Sequence, residues 1–420
     1  MKLLAIAEHF PSPYKAYHYV QFERFLQDGH ELTVYAFGLH DGGMGNGGQE
    51  GAFVRQTRYL PPTARELPSF FGQALRDFVR RPGRALQRSL RAFAHPASLK
   101  HRCLNMARAL LLPADSPDMV LVHNLRAAAN LQFLRAIYPE AVIAMYYHGG
   151  EVPGVPTPSV ATVKATFDSF DVVFTNTESS RKHAIGRGQA AERIVISPVG
   201  FDLRGFPDPQ PRAYRRDGKL NIFMVGRLSE EKGFMLGLQA LKVLIQEGHD
   251  IKVRLAGDGP LRKQLASFIA DNGLDRHIEM LGRVEQDQLY RCYTEADVFL
   301  LPSIPAGTWE ENQACVVQEA MLFRAVAAVS RTGGVGESTA PTMLPFSFEP
   351  GDVEGMVAGL RKLVGLSEEQ LRALGAEGRA FAQSRYDIRV LNAELLSTAL
   401  TYARDAVVDD DDSEEAIEAA

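Results

Sequence analysis

The chain has 420 residues, 45% of them hydrophobic, and a formal net charge of −5. That length exceeds a single hydrophobic core and suits two domains of ordinary size, while the hydrophobic content excludes bulk disorder. The acidic balance argues against general nucleic-acid binding, and Cys103, Cys292 and Cys315 are too far apart for a disulfide framework or a zinc pattern, which points to a reducing cytoplasm.

Leu3–Ala7 is the first expected strand. The run M-K-L-L-A-I-A is too short for a signal peptide, and Glu8 and His9 follow it directly. A helix over Tyr14–Gln27 and strands at Leu32–Phe37, Met119–His123, Ala141–Tyr147, Val172–Thr175 and Ile194–Ser197 come next. Short apolar runs alternating with helical segments imply a parallel sheet covered on both faces. Near Pro198 the pattern breaks, and V-G-F-D-L-R-G-F-P-D-P-Q-P reads as a linker. Alternation restarts with strands at Asn221–Val225, Lys252–Ala256, His277–Leu281, Val298–Leu301 and Ala325–Val329. Helices at Val353–Val364, Glu368–Ser384 and about 388–405 close the chain, and D-D-D-D-S-E-E beyond them reads as a solvated, disordered acidic tail. No stretch approaches the roughly twenty apolar residues that a membrane-spanning helix needs.

Two segments interrupt the first half. Gly42–Gly51 contains a formal G-x-G-x-x-G at Gly43, Gly45 and Gly48, but no helix-forming pattern follows it to present an N-terminus to phosphate, so it reads as a loop. Arg76–Arg102 holds eight Lys or Arg residues and one acid, Asp77, with apolar residues at helical spacing on either side of Pro82. Two basic amphipathic helices are expected there, as a solvated face or as a contact for an anionic membrane surface or charged acceptor.

The chemistry concentrates in the second half. G-R-L-S-E-E-K-G supplies Arg227 and Lys232 just after a strand, at its carboxyl end. Cations at that place neutralise a diphosphate, the Arg as a planar fork and the Lys as a point charge, and they favour the transition state because charge builds on a leaving diphosphate. Glu311 and Glu319 stand eight apart in E-N-Q-A-C-V-V-Q-E, the first in a loop and the second on the helix Ala314–Phe323. Carboxylates accept hydrogen bonds from sugar or ribose hydroxyls. The loop Asn312–Cys315 leads into a helix N-terminus whose free N–H groups suit phosphate or sugar oxygens. His148 follows a first-half strand, beside Gly149 and Gly150, with Glu151 next.

Taken together, G-R-L-S-E-E-K-G (226–233), A-G-D-G-P (256–260), E-x7-E (311–319) and T-G-G-V-G-E (332–337) resemble, in order and spacing, the retaining glycosyltransferases of family four, which have the two-domain GT-B fold. The likeness runs from about Lys219 to Arg385; the first half matches mainly in pattern and in His148. It implies diphosphate contacts from Arg227 and Lys232, a hold on the transferred sugar from Glu311 and His148, and ribose binding by Glu319. It puts the base near Arg283 and Val284, and further donor contacts at Asn312, Gln313, Ala314, Cys315, Gly333 and Gly334, with Glu337 beyond. Two departures stand out. The place of the family's glycine-rich loop after the first strand reads A-E-H-F-P-S-P-Y-K, which makes His9, Tyr14, Lys15 and His18 candidates for the acceptor side or a phosphate contact. V-G-E also replaces the frequent V/I-P-E.

The expectation is therefore an α/β protein of GT-B type with two facing Rossmann-like domains. An acceptor-side domain would span 1–200, a nucleotide-sugar domain 201–385, and a helix over 386–405 would cross back onto the first domain, with an acidic tail at 406–420. Its activity would be retaining transfer of a hexosyl unit from a nucleoside diphosphate sugar to an acceptor hydroxyl, in bacterial glycan biosynthesis. No cofactor and no metal is expected, since no strand-end D-x-D is present. The acceptor would be a glycan, lipid-linked or small molecule, and the place of action the cytoplasm or the inner face of the cell membrane. A phosphorylase or epimerase-like sugar enzyme, or a catalytically silent scaffold, are the alternatives.

Overall fold

The computed structural model describes residues 1–12, 16–38, 52–80, 82–149, 158–209, 212–307 and 309–402. The glycine-rich run 42–51, Tyr14, Lys15, Gly150, Glu151 and the acidic tail lie outside the described residues.

The first sheet contains β1 (Lys2–His9), β2 (Glu31–Gly38), β3 (Arg58–Tyr59), β4 (Met119–His123), β5 (Val142–Tyr147), β6 (Val172–Thr175) and β7 (Ile194–Ile196). They are parallel throughout, in the order β3-β2-β1-β4-β5-β6-β7. Alternation of side chains divides β1 between two cores. Leu4 and Ile6 enter one with Val120, Val122 and Ile143, and Leu3, Ala5 and Ala7 enter the other with Phe22 and Phe25. Burial on both faces is why β4 and β5 read as unbroken apolar runs.

The second sheet contains β8 (Leu220–Val225), β9 (Ile251–Ala256), β10 (Ile278–Gly282), β11 (Val298–Leu301) and β12 (Val326–Val329), also parallel, in the order β10-β9-β8-β11-β12. In both sheets the strand order reverses once, at β1/β4 and at β8/β11. Crevices of this kind, beyond the carboxyl ends of the strands, are where open α/β sheets bind ligands.

The chain passes between the two units at adjacent points. Phe201 N–H donates to the Tyr386 carbonyl at 2.8 Å, and Ile388 N–H donates to that of Phe201 at 3.1 Å. Phe201 and Phe206 are buried in the core of the second unit, so the segment that reads as a linker is anchored there. After 386 a helix over 388–402 lies on the first unit. Leu395, Leu396 and Ala399 join its core, and Asn392 Nδ2 donates to the Gln21 carbonyl at 3.1 Å.

Helices Leu67–Arg80 and Pro82–Ala94 do flank Pro82. Arg88, however, is not part of a solvated face. Its guanidinium is buried over the Tyr138 ring, 4.8 Å from the centroid, and donates to the Tyr138 hydroxyl at 3.0 Å. Among the described residues, no helix is long and apolar enough to cross a membrane.

Candidate active site

Beyond β8 the chain turns through Gly226 and Arg227 into a short 3-10 turn, Glu230–Lys232, that leads into the helix Phe234–Gln246. Beyond β11 it runs through Pro302 and Ser303 towards Glu311. The two loops are tied by the Ile304 N–H, which donates to the Glu231 carbonyl at 2.9 Å. That tie brings Lys232 Nζ to 2.5 Å from Glu311 Oε2, and Ser303 Oγ donates to the same oxygen at 3.1 Å. Lys232 therefore pairs with Glu311, not with the adjacent Glu230 or Glu231. Arg227 is exposed, and its guanidinium makes no hydrogen bond or ion pair among the described residues. An exposed, unpaired cation and a paired one thus stand together at the β8/β11 switch point.

Glu311 is also held from behind. The Gly334 N–H donates to its carbonyl at 3.0 Å, and Gly333 has φ +52° with its Cα turned onto that carbonyl, where any Cβ would collide. The two glycines of T-G-G-V-G-E therefore serve the backbone of the loop that carries the carboxylate.

Glu319 lies one turn into the helix Cys315–Leu322 and accepts from the Tyr293 hydroxyl at 2.9 Å. Burial pushes its carboxyl up to about 7, against the smaller opposing effect of the Tyr293 hydrogen bond. Burial, with the charges of Glu319 and Glu311, pushes the Cys315 thiol up to about 12, which keeps it protonated and unsuited to act as a nucleophile at neutral pH.

Asn312 and Gln313, between the two glutamates, line the cleft and also bond to the other unit. Asn312 Oδ1 accepts from Thr177 Oγ1 at 2.6 Å and from Ser180 Oγ, and its Nδ2 donates to the His148 carbonyl. Gln313 bonds both backbone groups of Val199, accepting from N–H at 2.7 Å and donating to C=O at 2.9 Å. Glu337 accepts from the Glu178 and Ser179 N–H groups at 2.7 and 2.9 Å, a carboxylate at the N-terminus of the helix Glu178–Gly186. These side chains join the two units. Ala314 is buried as the helix N-cap. Arg283 and Val284 follow β10, an edge strand two places from β8, with Arg283 exposed and Val284 packed on the core.

On the facing wall His148 follows β5. Its Nε2 lies 3.3 Å from His123 Nδ1, and its ring stacks on Tyr146 at 4.5 Å with 8° between planes. Gly149 has φ +75°, and a Cβ there would come within 2.8 Å of Ser180 Oγ and 3.0 Å of Asn312 Nδ2. His18 lies behind, and one nitrogen from each of His18, His123 and His148 falls within 4.8 Å of the others. This is the one such group among the described residues, and its short side is already a direct contact between imidazoles. His123, Tyr17, Trp309, Tyr293, Thr177 and Ser180 were not foreseen as site residues. Tyr17, Gly149, Trp309 and Glu310 line a cleft of about 180 Å³ with His148 and Glu311. The sequence signal for Tyr17 was its place beside the His18 candidate; Thr177 and Ser180 had none.

Comparison with known proteins bears on this geometry. Residues 209–381 match the family described as glycosyl transferases group 1. The amylovoran biosynthesis glycosyltransferase AmsK of Erwinia amylovora is 29% identical over 180 residues, 43% of this chain and 44% of its own. The putative colanic acid biosynthesis glycosyltransferase WcaL of Escherichia coli is 26% identical over 212 residues, 50% of this chain and 52% of its own. The chain thus spans about half the length of these curated relatives. Among solved structures, HepE of Anabaena in complex with UDP superposes with a TM-score of 0.67 at 17% identity, covering 96% of this chain and all of that one. The fold is GT-B.

The raised carboxyl of Glu319 has a consequence for stability. Its folded pKa of about 7 exceeds the ordinary value of 4.5, so its contribution favours the folded chain fully below about 4.5 and is lost as pH rises through 7. Glu319→Gln removes that loss. In urea titrations the variant is expected to gain on wild type by on the order of 2 kcal/mol between about pH 5 and pH 8; a pH-independent difference between the two would contradict the assignment.

Proposed function

We propose, from the match of residues 209–381 to the glycosyl transferases group 1 family, that this protein moves a hexosyl unit from a nucleoside diphosphate sugar to an acceptor hydroxyl, with retention of the anomeric configuration. The observation that carries the reading is the half-buried Lys232–Glu311 pair at the β8/β11 crevice, with Arg227 unpaired beside it. A diphosphate offers Lys232 two negative charges in place of one carboxylate. Its arrival draws Lys232 away and leaves Glu311 free to accept hydrogen bonds from sugar hydroxyls. Arg227 and Lys232 then balance the charge that grows on the leaving group. His148 faces the same cleft from the other wall. Glu319, farther along the helix, suits a ribose diol. In this reading the acceptor attacks from the front face, with the leaving diphosphate helping to take its proton, and Glu311 holds the sugar through hydrogen bonds. The names of AmsK and WcaL support a polysaccharide as the product class, and the UDP complex of HepE makes UDP-sugars the first donors to try.

Arg227→Ala and Lys232→Ala are each expected to lower kcat/KM for sugar transfer by about 2–4 kcal/mol in transition-state terms, with the fold intact. Near-normal kcat/KM in both variants would overturn the diphosphate role. Because protein cations do this work in the proposal, activity is expected to survive EDTA; complete loss with rescue by magnesium or manganese would sink that part.

A second face supports a place at the cytoplasmic surface of a membrane. Leu75, Val79, Leu86, Leu90 and Leu99 are each at least half exposed, among exposed Arg76, Arg84, Arg91 and Lys100. Exposed apolar residues interleaved with cations fit an anionic lipid surface, at about 1 kcal/mol per basic residue. Arg88 is excluded from the test because it is buried. Wild type is expected to co-sediment with phosphatidylserine vesicles at low salt and to be released as salt rises. The combined variant Arg76→Ser, Arg84→Ser, Arg91→Ser should stay in the supernatant while still binding nucleotide. Wild type left wholly in solution would favour a soluble acceptor.

A further inference from the structure

The chain has one tryptophan, Trp309, and it stands in the cleft two residues before Glu311. Its backbone is fixed by reciprocal bonds with Ala306. The Ala306 N–H donates to the Trp309 carbonyl at 2.9 Å, and the Trp309 N–H donates to that of Ala306 at 3.1 Å. Lys232 Nζ sits 5.4 Å from the indole centroid while it contacts Glu311, so indole, ammonium and carboxylate form a row along one wall. Tyr17 and His148 stand on the other wall, their rings 4.9 Å apart.

We propose that Trp309 is the stacking platform for a pyranose ring in this cleft, an assignment that rests on the transferase reading above. A pyranose with mostly equatorial hydroxyls has two kinds of surface. Its rim donates and accepts hydrogen bonds, and its face is a patch of C–H groups. A site for it needs carboxylates or amides around an aromatic plane, and the cleft supplies both: Glu310, Glu311 and the indole from one unit, and the Tyr17 ring from the other. A diphosphate needs cations and N–H groups and gains nothing from an indole. The same row links the two subsites. Lys232 lies over the Trp309 ring, so a diphosphate held by Lys232 would place the sugar attached to it within reach of the indole.

The pyranose can belong to the donor or to the acceptor, and the experiment separates the two. Binding of UDP, UDP-glucose, GDP and GDP-mannose is measured by calorimetry on wild type, Trp309→Phe and Trp309→Ala, together with acceptor KM where transfer is detected. If the platform holds the donor sugar, Trp309→Ala leaves the affinity for the free diphosphate unchanged and weakens the sugar nucleotide about tenfold, the scale of one lost aromatic contact. Trp309→Phe recovers most of it. If it holds the acceptor sugar, both nucleotide affinities stay unchanged and acceptor KM rises about tenfold, again with recovery in the Phe variant. Equal loss for free diphosphate and sugar nucleotide would mean that the indole only supports Lys232, and wild-type behaviour of Trp309→Ala in every assay would also overturn the platform. If wild type binds no nucleotide, the transferase reading fails by itself; the emission of the single tryptophan is then titrated with methyl glucoside and methyl mannoside. A saturable shift keeps the platform, and no shift ends it.

Discussion

The loop 311–313 is held at each residue by a different part of the molecule, and the site is built around that loop. The Glu311 carboxylate meets Lys232 from the β8 turn, and its carbonyl meets the Gly334 N–H from beyond β12. Asn312 reaches Thr177, Ser180 and the His148 carbonyl, and Gln313 reaches Val199. Each of these polar groups would cost on the order of 1–3 kcal/mol if left buried and unpaired. The bonds therefore fix where the carboxylate, the imidazole and the inter-domain crossing stand relative to one another, although the three come from distant parts of the sequence.

The Lys232–Glu311 pair is a poor source of stability and a good source of readiness. Taking both charges partly out of water costs several kcal/mol, and their attraction roughly returns it. What the pair achieves is to hold both groups in one orientation at the edge of the cleft. Under the transferase proposal a dianionic ligand would compete with one carboxylate for the ammonium, and Ser303, donating to the same carboxylate oxygen, would keep a hydrogen bond on Glu311. Glu319 is tuned otherwise: burial raises its carboxyl to about 7, and the Tyr293 hydroxyl donates to it.

Much of the fold was legible because strands buried on both faces leave continuous apolar runs. Met119–His123, Val172–Thr175 and Val298–Leu301 were read with their observed bounds, and most other strands to within a residue or two at each end. The two-residue β3 was not, since Arg58–Tyr59 has no period to detect. The burial of Arg88 was not legible, because an arginine at helical spacing looks the same in sequence whether it points to water, to a lipid surface or onto Tyr138. In the site, the strand-end cations and the two glutamates were visible through their spacing. The roles of Asn312 and Gln313 were not, because their partners are a threonine, a serine and backbone groups of the other unit. Nothing local distinguishes an amide that faces a ligand from one that faces another domain. His123 reads as the polar end of a buried strand, and only the fold brings it to 3.3 Å from His148.

The two kinds of contact between the units suggest which parts move together. Around Asn312, Gln313 and Glu337 the contacts are polar; the neutral ones at Asn312 and Gln313 exchange with water at a net cost of about 0.5–1.5 kcal/mol each, and the charge-assisted ones at Glu337 at about 1.5–3 kcal/mol. Leu395, Leu396 and Ala399 of the helix 388–402 are instead buried among Leu3, Phe22 and Phe25, which holds that helix to the first unit by apolar area that water cannot replace. A cleft that opens should therefore part at Asn312 and Glu337 and bend where the chain crosses, at Phe201 and Asp387, carrying the terminal helix with the first unit. Closure would rebuild the bond from Asn312 to the His148 carbonyl, so the imidazole and the Glu311 carboxylate would come into register in the same step that excludes water. Under the transferase proposal, chemistry that needs groups from both walls would be confined to the closed state, where a reactive sugar is shielded from hydrolysis.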